Sequence, residues 1–258
     1  MDAITARGAL RGRSEVHVAP GGYAENIILP LNTIAPHGKL IAINPMDGTL
    51  ASGGAVYLTA AVDTDPVITV RARGWLIQGF EIDTPANDGG LTLDAVSANC
   101  NANYTTIRNC VFWGGDTGTH GIDFKGPAHY VKIYDCDFQG QGGKAIMCSE
   151  TPSDLPGGIE IAHCRFQNNV NGIAMNPRGF WHSWIHDCMF APGTTETDPD
   201  TLLDNRGGQY TIIGPNNFLS STYDAAGGYY AGTNETWRGN RSEDSDNGTV
   251  GTGQVNPA

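Results

Sequence analysis

The sequence predicts a single all-β solenoid, a chain wound into stacked coils of short parallel strands. Three observations predict it. One phrase recurs four times between Tyr104 and Phe190, as Thr-Ile-Arg-Asn-Cys-Val-Phe, Lys-Ile-Tyr-Asp-Cys-Asp-Phe, Glu-Ile-Ala-His-Cys-Arg-Phe and Trp-Ile-His-Asp-Cys-Met-Phe. Its Ile positions, Ile107, Ile133, Ile161 and Ile185, recur at intervals of 26, 28 and 24 residues. Self-similarity at this period marks units that cannot bury an apolar face alone and stack on their neighbours. The third observation is the 35 glycines, which suit many tight turns and few helices. At 258 residues, with the repeat running through its middle, the chain fits one large domain.

The elements follow in order. Residues 3–13, Ala-Ile-Thr-Ala-Arg-Gly-Ala-Leu-Arg-Gly-Arg, suit a short amphipathic helix, and a cap over the exposed strand edges of a first coil gives residues 1–14 a physical purpose. The solenoid body is expected over 15–242. It opens with a strand from Glu15 to Ala19 and turns at Pro20-Gly21-Gly22 into a second β run. Further strands read from Leu40 to Asn44, Ala55 to Thr59 and Val67 to Arg71, each bounded by Gly, Pro or Asp. The phrase then extends in both directions. Ile77, Phe80 and Ile82 fill its Ile, Cys and Phe slots upstream, as do Ile213, Asn216 and Phe218 downstream and, more weakly, Trp237, Asn240 and Ser242. A second phrase precedes each first one, as in Gly121-Ile122-Asp123-Phe124 and Ala145-Ile146-Met147-Cys148, so each coil carries three strands. The segment 243–258 is a polar tail too poor in apolar residues to fold alone.

Alternation assigns the faces. Ile122, Phe124, Val131, Ile133, Cys136 and Phe138 point inward, and burial of each large apolar side chain is worth roughly 1.5 to 3 kcal/mol. The residue before each Cys is Asn109, Asp135, His163 or Asp187. These types tolerate the left-handed backbone that a sharp bend between strands requires. Outward neighbours avoid like charges, with Lys132 falling beside Glu160 and Asp137 beside Arg165.

The stretch Val16-His17-Val18-Ala19-Pro20-Gly21-Gly22-Tyr23-Ala24-Glu25-Asn26-Ile27 resembles the opening coil of right-handed parallel β-helix proteins of the pectate-lyase-like superfamily. The resemblance spans most of the chain and implies the fold, with an asparagine ladder expected near the bends. It implies less about chemistry. Trp184-Ile185-His186-Asp187 resembles the Trp-Ile-Asp-His of pectate lyases with its last two residues exchanged, and their arginine motif has no match. Thr119-His120-Gly121 resembles the Gly-His-Gly of polygalacturonases without the accompanying motifs.

Several function classes recede on composition. The formal charge of -12 and the lack of basic patches with interleaved aromatics argue against nucleic acid. No apolar run reaches a membrane span, and no secretory signal is recognisable, so synthesis in a host cytoplasm is expected. The six cysteines include no C-x-x-C pair, and the expectation is free core thiols, with neither metal nor cofactor.

Two groups of residues remain. Outward columns of one sheet bring Asp94, Asp123 and Lys125 onto adjacent coils with His120 just upstream, the one compact acid/base set. Paired carboxylates there would suit a glycoside hydrolase, and carboxylates beside a basic group a polysaccharide lyase; an Asp94–Lys125 surface ion pair is the plain alternative. Phe180, Trp181, His182 and Trp184 surround a turn as a subunit interface, a sugar-stacking platform or a locally packed group. The sequence resembles the β-helical bodies of bacteriophage tailspikes but has no room for a separate head-binding domain. That resemblance implies a virion structural protein, a capsid decoration or spike-like component that self-associates, as a trimer, or binds capsid proteins, with polysaccharide as a further partner. The alternatives are a polysaccharide lyase or glycoside hydrolase, and a noncatalytic glycan-binding module.

Overall fold

The computed structural model describes residues 15–29, 37–43, 56–95, 101–115, 117–126, 128–148, 156–175, 179–191, 201–205, 207–218, 229–230 and 233–242. The expected cap and tail lie outside these residues, as do Cys100, Ser149, Asn176 and Arg206. Every regular element among the described residues is a strand. The strands form three parallel sheets of nine, nine and eight members, in each of which every strand pairs with those one coil before and after. One coil shows the plan: Lys132–Tyr134 in the first sheet, Asp137–Gln139 in the second and Lys144–Met147 in the third.

The register stacks like on like, as the repeat requires. In the first sheet Ile77, Ile107, Ile133, Ile161, Ile185 and Ile213 form one inward column. In the second, Phe112, Phe138, Phe166, Phe190 and Phe218 stack face to face with ring centroids 4.8, 5.0, 4.7 and 4.9 Å apart. That separation is the inter-strand spacing itself, so backbone pairing sets the distance at which the near-parallel rings stack. The expected outward pairs also form, Lys132 Nζ lying 3.4 Å from Glu160 and Arg165 Nη1 3.8 Å from Asp137.

The bend between the first and second sheets is a single left-handed residue, with φ of 52° at Asn109, 52° at Asp135, 54° at His163 and 52° at Asp187. Beneath it runs the cysteine column. Each buried thiol faces two carbonyl acceptors, that of the residue two before it (3.3 Å for Cys110 and Cys164, 3.2 Å for Cys136 and Cys188) and the Ile carbonyl one coil earlier, at 4.0 Å from Cys110, 3.8 Å from Cys136, 3.6 Å from Cys164 and 3.7 Å from Cys188. Asn216 and Asn240 continue the column with amides, donating to Ile185 and Ile213 carbonyls at 3.1 Å each. The amide ladder therefore falls in the Cys slot and not at the bend residues themselves. A second set of amides, Gln141 and Asn169, bonds the Phe112 and Phe138 carbonyls at the corner leading to the third sheet.

All five described cysteines are buried, and Cys110, Cys136, Cys164 and Cys188 are free thiols. Burial pushes the Cys136 and Cys188 thiols well above their usual value. Thiol titration of the native protein is expected to be slow at these positions and complete after denaturation; rapid native labelling of Cys136 or Cys164 would refute the inward column. Phe138→Ala removes one ring from the middle of the stack and should lower unfolding free energy by about 3 to 5 kcal/mol.

Candidate functional site

The acid/base set lies in the third sheet, where the strand His120–Lys125 sits between Gly89–Asp94 and Lys144–Met147. Register sets Asp123 beside Thr92 and Met147, Lys125 beside Asp94, and His120 beside Gly89 and Lys144. The four residues thus share adjacent coils as the repeat implied. Their ion pairs differ from the expected one. Asp94 Oδ2 accepts from Arg71 Nε at 3.1 Å, and Lys125 Nζ lies 3.5 Å from Asp88 Oδ1, a carboxylate that alternation did not single out.

Depth differs as well. Asp123 is only 2% exposed, and Thr69, Thr92, Met147 and Asp204 in the same column are also buried. Alternation places these side chains on the outer side of the sheet, and strand periodicity carries no information about what packs over that side. Asp123, in the middle of the set, is shielded from water. His120 has its pKa pushed down to about 4, chiefly by burial and then by the Lys144 ammonium, which together outweigh the Asp88 carboxylate. Its Nδ1 accepts the Lys144 backbone N–H at 3.3 Å. The imidazole is neutral at pH 7, and a pKa held this far below that pH makes it a weak proton acceptor.

The aromatic group divides. Phe180 is fully buried, because the left-handed Gly179 (φ 69°) directs the chain so that the ring packs edge-on against Phe124 at 5.6 Å. It belongs to the core and leaves the surface set. Trp181 and Trp184 are exposed, and His182 stacks on Tyr210 at 5.1 Å. This stack belongs to a feature that sequence reasoning missed. Tyr104, Tyr130, Gly158, His182 and Tyr210 all have positive φ and occupy one column at the corner between the third and first sheets. Tyr104 and Tyr130 stack at 5.0 Å, and both are half exposed. Bulky residues in this backbone region cost of order 1–3 kcal/mol each. The signal was present in the chain, since each of these residues stands three positions before an Ile of the repeat.

A third constellation spans three coils of the first sheet. Glu160 accepts from Tyr134, from Lys132 at 3.4 Å and from His186 Nε2 at 3.4 Å, while His186 Nδ1 meets Asp187 at 2.7 Å. Trp184 lies over His186 with ring centroids 3.6 Å apart and donates its N–H to the Gly214 carbonyl at 3.1 Å. Burial opposes ionisation of Glu160, but the donors outweigh it and hold the carboxyl below its ordinary range. The network is satisfied internally and acts as a brace between coils.

No protein-family model matches the sequence, and no curated protein matches it. Two solved structures overlay most of the chain. The alginate lyase from Paenibacillus sp. str. FPU-7 does so with a TM-score of 0.64 at 12% identity, covering 93% of this chain and 92% of the lyase. ORF18 of Geobacillus virus E2 gives a TM-score of 0.57 at 13% identity, covering 92% of this chain and 44% of the viral protein. This chain thus spans less than half the length of that protein. What is shared at these identities is architecture: the chain is a parallel β-helix.

The buried imidazole gives a pH prediction. In the fold His120 stays neutral down to about 4, whereas the unfolded chain takes up that proton near the ordinary 6.5. Unfolding is then coupled to proton uptake between these values, so stability is lost as pH falls through the window. Thermal melts from pH 7 to 4 should show a shallower acid decline for His120→Asn than for the wild type; parallel curves would refute the assignment.

Proposed function

We propose that this chain is a structural component of a bacteriophage particle, a decoration or spike-like subunit that associates with copies of itself, as a trimer, or with capsid protein. The observation that carries the reading is the exposed aromatic edge. Tyr104, Tyr130 and Tyr210 on one corner, with Trp181 and Trp184 beside them, place large rings in water on a protein with a formal charge of -12. Exposed apolar groups clustered in this way mark contact surfaces. Trp and Tyr also give much contact area for little lost side-chain freedom. The overlay with a viral protein supports the reading as far as a shared fold can. Light scattering on the eluting protein tests it: an oligomer is expected at micromolar concentration, converting to monomer in Trp181→Ala or Trp184→Ala. A monomeric wild type, together with absence of the chain from purified particles by mass spectrometry, would refute it.

The alternative is a polysaccharide lyase or glycoside hydrolase. It is favoured by the placement of His120 beside Asp88 and Lys125 on adjacent coils, and by an overlay with an alginate lyase that covers both chains nearly whole. Depolymerisation of any polysaccharide in a panel, lost in Asp123→Asn and in His120→Asn, would replace the structural reading with this one. We expect no cleavage, because the carboxylate in the middle of the set is shielded from water.

A further inference from the structure

The outer face of the second sheet carries an open groove of about 440 Å³ that neither the acid/base set nor the aromatic edge touches. Its floor is Val111, a short apolar side chain between Glu81 on the preceding coil and Asp137 on the next. Two inter-strand steps separate those carboxylate positions, roughly 9 to 10 Å along the rod. Trp113, two residues beyond Val111 on the same face, forms one wall and is 46% exposed. Gln139 and Arg165 complete the polar rim.

Trp113 differs from the other exposed rings. Tyr104 and Tyr130 stack on each other, His182 stacks on Tyr210 and meets Trp181, and Trp184 covers His186. Among the described residues Trp113 has no ring partner, and close to half of its surface is left open to a ligand. The neighbouring carboxylate is under-satisfied. Asp137 Oδ2 accepts from Gln139 Nε2 at 2.6 Å and faces Arg165 at 3.8 Å, but Oδ1 is buried with no partner. Rotation about the last torsion of Asp137 would turn that oxygen toward a donor in the groove. Burial also raises the pKa of this carboxyl.

An indole face beside acceptors and an amide is the chemistry that recognises a pyranose ring, whose C–H face stacks on the aromatic while its hydroxyls bond the polar rim. The charge of the lining narrows the class. Glu81, Asp135 and Asp137 outnumber Arg165 and the His163 imidazole, so a uronate or sulfated sugar would meet net repulsion. A metal ligand set is not formed, since no group of three His, Cys, Asp or Glu suited to a cation occurs among the described residues. We infer that this groove binds a neutral hexopyranose unit of a glycan, stacked on Trp113 and hydrogen-bonded by Glu81, Asp137 and Gln139. The site does not depend on the particle reading and involves no cleavage.

Titration with cellohexaose, maltohexaose and mannohexaose, followed by the tryptophan indole N–H signals in NMR, tests the inference, with hexameric oligomannuronate as the anionic control. At least one neutral probe should shift the Trp113 signal saturably. Trp113→Ala should weaken that binding roughly tenfold or more. Asp137→Asn should weaken it severalfold, and Val111→Trp, which fills the groove from an outward position, should abolish it. Trp184→Ala should leave it unchanged. Melting curves establish that each variant is folded, and the signal map of the wild type locates the site without any substitution. No binding by any neutral probe to the millimolar range, preference for oligomannuronate, or binding that survives both Trp113→Ala and Val111→Trp would overturn the inference.

Discussion

Everything in this molecule depends on parallel stacking in register, which repeats every side-chain position at the inter-strand spacing of about 4.8 Å. A residue therefore meets its own kind above and below, and the chain has to choose types that tolerate this. Inside, the solution is homogeneous columns: isoleucines in the first sheet, phenylalanine rings in the second, and thiols passing into amides beneath the bend. Cysteine suits the bend column because it is small, apolar and carries a weak donor that faces backbone carbonyls, one of them on the preceding coil. Asparagine takes the same slot with a stronger bond, as at Asn216, which also accepts the Cys188 backbone N–H at 3.0 Å.

The same constraint acts with opposite sign on the outer faces. Like charges in one column would repel at every step, and the columns alternate instead: Glu15 with Lys39, Lys132 with Glu160, Asp137 with Arg165. Exposed pairs of this kind contribute little to stability individually. The brace around Glu160 is different in kind, because one carboxylate is shared by Tyr134 and Lys132 from the preceding coil and His186 from the following one. Where a column breaks its pattern, a surface feature appears. Val111 between two acids opens a groove, and aromatic residues in left-handed corner positions build an exposed edge.

These surface features are where function has to be sought, since the interior is committed to stacking. The rod offers three distinct outer faces. The third sheet holds a neutral imidazole with buried acids, the corner beside the first sheet holds stacked aromatics, and the second sheet holds an indole beside an unsatisfied carboxylate. A shared fold with an enzyme and with a viral protein does not choose among them, because a β-helix is a frame on which unrelated sites can be placed.

The interior was legible in the chain to the level of single contacts. Ile, Cys and Phe at constant offsets named the inward columns, and Asn109, Asp135, His163 and Asp187 named the left-handed bends. Lys132–Glu160 and Asp137–Arg165 followed from register alone. These were determined locally, by strand alternation and by which residues accept positive φ. Burial of outward residues was decided only by the tertiary structure. Asp123 was placed on the correct side of its strand yet lies beneath the surface, and Phe180 turns inward at Gly179. Arg71 and Asp88, not Asp94 and Lys125 together, supply the ion-pair partners. Loops and side-chain reach are set by packing across coils, which no periodicity encodes. The repeat therefore determined what stacks on what, and the folded chain decided what water and ligands can touch.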